Sequence, residues 1–213
     1  RHTRYISVTG VQTCALPIST NFQTPPGWDT VYSPIFNMIE RPIAPMLVVR
    51  VETDWYAHET EFRYVLQPGE KGVPDFLREA FRKANKVQDI LTGRFQQGKT
   101  GNQILSEALR QCKTEGLDAV IYTHPIGLHG HAAGPTIGMW DNQISISGSG
   151  DYPLLPHTAY SIELNCASAA PLWHKQIRIM LEEDGYYDGR KFRYINGRQQ
   201  EIYLIPRARK EIE

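Results

Sequence analysis

The segment His124-Pro-Ile-Gly-Leu-His-Gly-His-Ala-Ala-Gly-Pro135 says more about this chain than any other stretch of its sequence. It contains two histidines seven residues apart, His124 and His131, with Gly127 and Gly130 between them. Neutral imidazole is a common ligand for divalent metal ions, and glycine lets a backbone approach a bound group closely. The segment therefore predicts a metal site or a substrate site.

Two later apolar runs each carry a glutamate that such a site could use. Glu163 lies within the run Tyr160–Leu164, and Glu183 ends the run Ile177–Glu183. Burying an unpaired carboxylate is costly, so each acid needs a cation or several hydrogen-bond donors, and one metal ion would serve both. Simpler roles stay open, since a histidine in a glycine-rich loop is often only hydrogen-bonded. Alternation along a strand sends only one of Glu182 and Glu183 inward, and the pattern does not say which.

The length and composition are typical of one globular domain. The chain has 213 residues, of which 41% are hydrophobic and 22% are charged, so it can bury a core. Lys and Arg together number 23, as do Asp and Glu, and this balance gives no indication of binding to nucleic acid or to an anionic membrane surface. No apolar run approaches the roughly 20 residues that a membrane-spanning helix needs. The three cysteines, Cys14, Cys112 and Cys166, form no CxxC pair, which favours reduced thiols in a cytoplasmic protein.

Residues 1–19 need a separate interpretation. The stretch Val8-Thr-Gly-Val-Gln-Thr-Cys-Ala-Leu-Pro-Ile18 resembles the translation of a sequencing-library adapter, and the chain begins with Arg1. We therefore expect residues 1–19 to be an assembly artefact that belongs to no domain, and the natural protein to be truncated here at its N-terminus. A signal peptide is the rival interpretation, but polar residues interrupt its apolar region.

Two helices are predicted in the middle of the chain. The first begins at Pro74, continues through apolar residues at three- and four-residue spacing, and stops at Gly93. The second begins after Thr100, which forms a capping-box pattern with Gln103, and it ends at Gly116. Their apolar stripes are expected to pack in the core.

Strands are predicted on both sides of the helices, from short apolar runs bounded by Gly, Pro, Asn and Asp. The predicted strands are Met46–Val51, Glu61–Leu66, Ala119–Thr123, Gln143–Ser147, Tyr160–Leu164, Ile177–Leu181 and Ile202–Ile205. The first two are expected to form a hairpin. Two helices followed by a run of strands indicate an α+β fold with a largely antiparallel sheet. Residues 20–206 are expected to form one domain, and residues 207–213 a fraying tail.

The motif around His124 resembles the active-site region of the pita-bread metallopeptidases, which include methionine aminopeptidase, Xaa-Pro aminopeptidase, prolidase and creatinase. Their pattern is a His-Gly-Ile-Gly block, a second His seven residues after the first, and then a Pro. This chain has His124-Pro-Ile-Gly127, His131 and Pro135 at those positions. Tyr160-Ser-Ile-Glu163 resembles the family's segment bearing the next ligand, and Ile177-Arg-Ile-Met-Leu-Glu-Glu-Asp184 resembles the segment bearing the last.

The resemblance is strongest to bacterial Xaa-Pro aminopeptidase-like proteins. It depends on the longer string His129-Gly-His-Ala-Ala-Gly-Pro-Thr-Ile-Gly-Met-Trp-Asp141 and on a late Gly197-Arg-Gln199. The resemblance covers about residues 64–206 and is specific over residues 120–184. It implies a pita-bread domain of the α+β class, with a curved, mostly antiparallel sheet and covering helices.

The resemblance also implies roles for individual side chains. His124 would be a metal ligand, Glu163 a ligand of the same ion and the general base, and Glu183 a bridge between two ions. His131 would hydrogen-bond the substrate or stabilise the oxyanion. His129, which has no counterpart in the family's pattern, would either support a metal ligand or line the pocket. One or two ions of Mn, Co, Zn or Fe are implied, because mixed imidazole and carboxylate ligands suit these metals.

One part of the family's pattern is not found in this chain. The family supplies two aspartate ligands from a hairpin ahead of the helices. Here that region offers Glu52, Asp54 and Glu59, and solvated hairpin charges are the simpler interpretation of these three residues. The chain could therefore be a two-metal enzyme, a one-metal enzyme or a domain without catalysis.

The function implied by the resemblance is metal-dependent hydrolysis of the N-terminal bond of a peptide, with Xaa-Pro peptides as substrates. The alternative is a catalytically inactive pita-bread homologue that binds a peptide or a small molecule in the same cleft. The expected partner is a peptide substrate, neither nucleic acid nor a membrane is expected, and a homodimer is compatible with both functions.

Overall fold

The structure is a computed structural model that describes residues 46–51, 59–66, 69–127 and 130–205, with the backbone alone for 46–51 and Glu59. These ranges contain ten strands and two α-helices, so the α+β class predicted from the sequence is confirmed. The strands are β1 (Met46–Val51), β2 (Glu59–Val65), β3 (Asp118–Ile121), β4 (His124–Pro125), β5 (Thr158–Ser161), β6 (Leu164–Ala170), β7 (Lys175–Leu181), β8 (Asp184–Tyr187), β9 (Phe192–Tyr194) and β10 (Tyr203–Ile205), and the helices are α1 (Asp75–Thr92) and α2 (Gly101–Thr114).

Both helices form close to the predicted positions. Helix α1 follows Pro74 and ends before Gly93, and its buried residues recur every three or four positions along one face. Helix α2 opens with the predicted capping box, in which the Thr100 hydroxyl accepts the N–H of Gln103 and the Gln103 side chain accepts the N–H of Thr100, at 3.2 and 2.9 Å. Within the described ranges, no helix has both the length and the apolar character needed to cross a membrane.

The strands form three small sheets that are almost entirely antiparallel. The predicted hairpin is confirmed, because β1 pairs antiparallel with β2 from Met46 opposite Tyr64 to Val51 opposite Glu59. Strand β10 lies on the other side of β2 and is parallel to it. The other two sheets have the strand orders β3-β6-β7 and β4-β5-β8-β9, with every pairing antiparallel.

Three neighbouring strand pairs are interrupted at the same level. Two residues separate β3 from β4, β5 from β6, and β7 from β8, but the register of pairing is the same on both sides of each gap. The pairs that flank the gaps are Ile121 with Leu164, His124 with Ser161, Leu164 with Leu181, and Ser161 with Asp184. Residues 162–163 therefore lie between residues 122–123 on one side and residues 182–183 on the other.

Side chains along these strands alternate between two faces. One face carries Ile162, Leu164 and Leu181, which are buried in a core to which both helices contribute, and we call it the helix face. The opposite face carries His124 and Glu163, and we call it the site face. Burial of the apolar side chains on the helix face holds the sheet against α1 and α2 and leaves the site face for polar groups.

The prediction of a strand over Gln143–Ser147 is wrong, since these residues form turns and irregular backbone. The side chain of Gln143 instead hydrogen-bonds the edge of β3. Its Oε1 accepts the N–H of Ile121 at 2.9 Å, and its Nε2 donates to the carbonyl of Ile121 at 2.7 Å. One amide side chain thus satisfies backbone groups at the edge of β3. The sequence pattern also misses β8 and β9, which are short and are joined by the polar turn at Asp188.

Candidate active site

His124 is the first residue of β4, and the sheet holds its ring in one orientation. The ring is buried, and its Nδ1 lies 2.9 Å from the carbonyl oxygen of Pro125. A carbonyl oxygen can only accept a hydrogen bond, so Nδ1 carries the hydrogen. In the neutral imidazole, Nε2 is therefore the nitrogen with an available electron pair, as metal ligation through Nε2 requires.

Glu163 is fully buried on the site face beside His124. It occupies the gap between β5 and β6, where the Thr123 hydroxyl accepts its N–H and donates to its carbonyl, each at 3.1 Å. The carbonyl of Glu163 also accepts the N–H of Tyr122 at 3.0 Å, so the Thr123 hydroxyl supplements the strand pairing and holds the backbone of Glu163 in place. The Glu163 Oε2 atom lies 3.8 Å from Nε2 of His124.

The contact between His124 and Glu163 fits a bound cation. An imidazole electron pair and a carboxylate oxygen repel each other, so a proton or a cation between them would stabilise the pair. Two ligands that each bind one ion at about 2.0–2.2 Å in tetrahedral geometry are about 3.3–3.6 Å apart, and the observed separation of 3.8 Å is slightly longer. Both donor types suit a divalent metal, and a small approach of the two side chains would bring them to ligand spacing.

His131 is exposed and lies directly against His124. The two rings are stacked, with centroids 3.9 Å apart and planes inclined by 24°. The two histidines singled out in the sequence are therefore neighbours in the structure. An exposed imidazole in this position can donate a hydrogen bond to a molecule that approaches the buried pair.

The register distinguishes between the two neighbouring acids. Glu182 lies opposite Glu163, on the site face, and the hydroxyl of Ser161 donates to its Oε1 at 3.2 Å. Glu183 points to the helix face, where its Oε1 accepts the N–H of Gln199 at 3.0 Å. The role of Glu183 as a bridging ligand stays a prediction, and of the two acids it is Glu182 that shares a face with His124 and Glu163.

Alternation extends the site face to residues that the sequence analysis did not single out. Ser161 is the cross-strand partner of His124, and Asp184 is the partner of Ser161. Tyr122 lies two residues before His124 on the same side, and all three of these side chains are buried. Counting by twos from His124 and Glu163 would have found Ser161 and Tyr122, but the pairing with Asp184 needs the register.

The other predicted residues are only partly described. His129, Glu52 and Asp54 lie outside the described residues, and of Glu59 only the backbone is described. Its neighbour Thr60 contacts the site, because the Thr60 N–H donates to the carbonyl of Glu182 and the Thr60 hydroxyl accepts the N–H of Glu182, each at 3.0 Å. Strand β2 therefore runs beside Glu182, as a ligand-bearing hairpin would.

The described residues fit a metal ion in part. His124 and Glu163 supply one nitrogen and one carboxylate close to ligand separation, and Glu182 lies on the same face. In the described part of the chain, however, no three His, Cys, Asp or Glu side chains are grouped closely enough to hold one ion. A third ligand would come from Glu182 after it leaves Ser161, or from residues outside the described ranges.

The buried thiols are unsuited to nucleophilic catalysis. Burial raises the pKa of Cys112 to about 11 and also raises the pKa of Cys166. Because the thiolate is the reactive form, the raised pKa and the burial of the two thiols make both slow to react at neutral pH. We expect both to resist iodoacetamide at pH 8 in the folded protein and to react in urea, as measured by mass spectrometry of their peptides. Rapid labelling of either cysteine without urea would contradict this assignment.

Comparison with known proteins identifies the fold. No protein-family model matches the chain, and no curated protein matches it. The X-Pro aminopeptidase from Thermotoga maritima superposes with a TM-score of 0.54 at 19% identity, over 75% of this chain and 41% of that protein. The methionine aminopeptidase from Rickettsia prowazekii gives 0.50 at 12% identity, over 70% and 62%. The N-terminal domain of FACT complex subunit SPT16 from chickpea, Cicer arietinum, gives 0.50 at 12% identity, over 71% and 34%.

These similarities establish the fold, which is the pita-bread fold predicted from the sequence. The identities are all below 20%, so the likeness shows the path of the chain alone. The chain spans less than two thirds of each of these proteins, and 41% of the X-Pro aminopeptidase. The expected truncation at the N-terminus stays a prediction.

Proposed function

We propose that the protein is a metal-dependent aminopeptidase that hydrolyses the N-terminal bond of Xaa-Pro peptides. The contact between Nε2 of His124 and Oε2 of Glu163 carries this proposal, because the tautomer and the two donor types suit ligands of one divalent ion and the 3.8 Å separation is close to ligand spacing. The fold shared with an X-Pro aminopeptidase and a methionine aminopeptidase supports the same class of reaction.

Three side chains would hold the ion and move protons. His124 and Glu163 would bind it, and Glu182 would complete the set from the same face. A divalent ion held there supplies Lewis acidity, which makes a nearby water nucleophilic near neutral pH. Glu163 would accept the proton of that water, since its carboxylate is buried at the centre of the site. Mn, Co, Zn or Fe each suit these ligands, as one ion or two.

His131 would bind the carbonyl oxygen of the scissile bond. Its exposed ring lies against His124, so it can reach a peptide carbonyl that approaches the His124–Glu163 pair. Negative charge develops on that carbonyl oxygen during attack by water, and a hydrogen bond from His131 would offset it.

The proposal is tested by metal binding and hydrolysis in one preparation. The protein is stripped with a chelator, titrated with MnCl2 by calorimetry and assayed on an Xaa-Pro dipeptide and on the matching Xaa-Ala dipeptide. We expect saturable Mn²⁺ binding and Mn²⁺-dependent hydrolysis that is faster on the Xaa-Pro peptide. A folded protein that binds none of Mn²⁺, Co²⁺, Zn²⁺ or Fe²⁺ would refute the enzyme assignment.

A pair of histidine variants separates site-specific binding from adventitious binding. His124→Ala is expected to weaken Mn²⁺ binding by more than about tenfold. Residues that only orient a metal ligand already contribute about tenfold or more to metal affinity, and this substitution removes a ligand itself. His157→Ala is the matched control, since His157 is an exposed imidazole bonded to the hydroxyl of Tyr186 at 2.9 Å. Calorimetry with MnCl2 measures both variants, and equal losses in the two would show that the binding is not at His124.

A binding module without catalysis is the alternative function. It is favoured by the incomplete metal group, since no third ligand is grouped with His124 and Glu163 among the residues that the structure describes. A peptide that binds in calorimetry with the same affinity with and without Mn²⁺, and that is not cleaved, would favour this alternative.

A further inference from the structure

The segment Gly197-Arg-Gln199 contacts the candidate site from the helix face. Gln199 is buried, and its main-chain N–H donates to Oε1 of Glu183 at 3.0 Å. The bond holds the Glu183 carboxylate on the helix face. Because neighbouring residues of a strand point to opposite faces, the same bond favours the site face for Glu182.

The side chain of Gln199 also replaces a strand partner for β2. Its Oε1 accepts the N–H of Phe62 at 2.7 Å, and its Nε2 donates to the carbonyl of Phe62 at 2.8 Å. The same Nε2 donates to the carbonyl of Glu201 at 2.7 Å. One buried side chain therefore satisfies both backbone groups of a residue in β2, two positions after Thr60.

Arg198 anchors the segment to α1. Its guanidinium makes an ion pair with Asp89 at 2.7 Å, donates to the carbonyl of Asn85 at 3.2 Å and lies over the ring of Tyr194 at 5.3 Å. Gly197 has a φ of 86°, a left-handed conformation that glycine adopts without strain. The turn at Gly197 and the three contacts of Arg198 fix where Gln199 enters the core.

We propose that Gln199 is a positioning residue that couples β2 to the Glu182–Glu183 junction and so keeps Glu182 on the site face. Its side chain makes two hydrogen bonds to the backbone of Phe62 in β2, and its main-chain N–H donates to the carboxylate of Glu183. Thr60, also in β2, makes two hydrogen bonds to the backbone of Glu182. Strand β2 is therefore bonded to Glu182 directly and to Glu183 through Gln199. The metal part of this inference depends on the proposed function, whereas the coupling itself does not.

The test compares Gln199→Met with Gln200→Met in the metal-free protein by hydrogen exchange. Methionine keeps the volume of Gln199 and removes both bonds to Phe62, and the exposed Gln200 is the matched control. We expect Gln199→Met to speed exchange by roughly tenfold at the Phe62 amide. We also expect faster exchange at the amides of Thr60 and Ile162, which bond to the carbonyls of Glu182 and Glu183. Acceleration at Phe62 alone, or an equal effect of Gln200→Met, would overturn the coupling.

Two further measurements separate positioning from loss of fold. Exchange at the Leu91 amide in α1 should be unchanged in Gln199→Met, because a general destabilisation would speed it as well. Gln199→Glu keeps an acceptor for the Phe62 N–H but sets a buried carboxylate oxygen against the carbonyls of Phe62 and Glu201, so its exchange at Phe62 should be at least as fast as in Gln199→Met. Wild-type exchange at Phe62 in Gln199→Glu would contradict a role for the two donated bonds.

Metal affinity then connects the coupling to the site. In calorimetry with MnCl2, Gln199→Met is expected to bind about 10- to 100-fold more weakly than wild type, the range for residues that orient ligands. The Co²⁺ absorption spectrum of the folded variant should shift as well, because it reports the arrangement of ligands. Wild-type affinity in Gln199→Met would refute the effect on Glu182. If wild type binds no metal, the proposed function fails, and the exchange data alone decide the coupling.

Discussion

Glu163→Gln is expected to lower kcat/KM for an Xaa-Pro dipeptide by about 100- to 10,000-fold, the contribution typical of a general base. The amide cannot accept the proton of a water and is a poorer metal ligand than a carboxylate. It can donate a hydrogen bond to Nε2 of His124, which the carboxylate faces at 3.8 Å. The metal-free variant should therefore melt at the wild-type temperature or above it.

The control for this variant is Glu61→Gln. Glu61 is a partly exposed glutamate on β2 whose carboxylate bonds Arg63, so its replacement changes the same chemical group away from the site. Steady-state kinetics with saturating Mn²⁺ measure both variants, and calorimetric melting shows that both are folded. Retention of more than half of the activity by Glu163→Gln would exclude Glu163 from the reaction.

The second large effect separates Glu182 from Glu183. Glu182→Gln is expected to weaken Mn²⁺ binding by at least about 100-fold, because it removes a charged ligand from the site face. Glu183→Gln keeps an oxygen that can accept the N–H of Gln199, so we expect its Mn²⁺ affinity to stay near that of wild type. Its stability should fall by about 1 kcal/mol, since a hydrogen bond to a charged group becomes a bond to a neutral one.

Calorimetry with MnCl2 on both variants gives an unambiguous comparison, because the two side chains are adjacent, chemically identical and buried to a similar degree. The reverse result, with affinity lost only in Glu183→Gln, would restore Glu183 as the bridging ligand implied by the family resemblance. Equal losses in the two variants would indicate that the strand junction, and not one carboxylate, supports binding.

Much of the candidate site could be predicted from the sequence because its signals are local. The sequence motif singles out His124 and His131, and in the structure the two rings stack. The run before Glu163 predicted a buried acid, and Glu163 is fully buried. Both inferences depend on residues that are close together in the chain or on the polarity of a short run.

The choice between Glu182 and Glu183 could not be predicted because it depends on register. A shift of one residue in pairing would exchange the two acids between faces, and nothing in the run itself fixes that shift. The register is held by distant contacts, namely Thr60 on the backbone of Glu182 and Gln199 on the carboxylate of Glu183. The same limit applies to Gln143, whose side chain replaces a predicted strand by bonding Ile121.

Helix limits, the capping box at Thr100 and the alternation of the strands follow from interactions within a few residues, so the amino-acid order is sufficient to define them. Which side chains face His124 is set by hydrogen bonds between segments more than a hundred residues apart, such as Phe62 with Gln199. Those bonds form only when the packed helix face brings the strands together. Short stretches of sequence therefore determine which chemical groups the site can contain, and the tertiary structure determines which of them face one another.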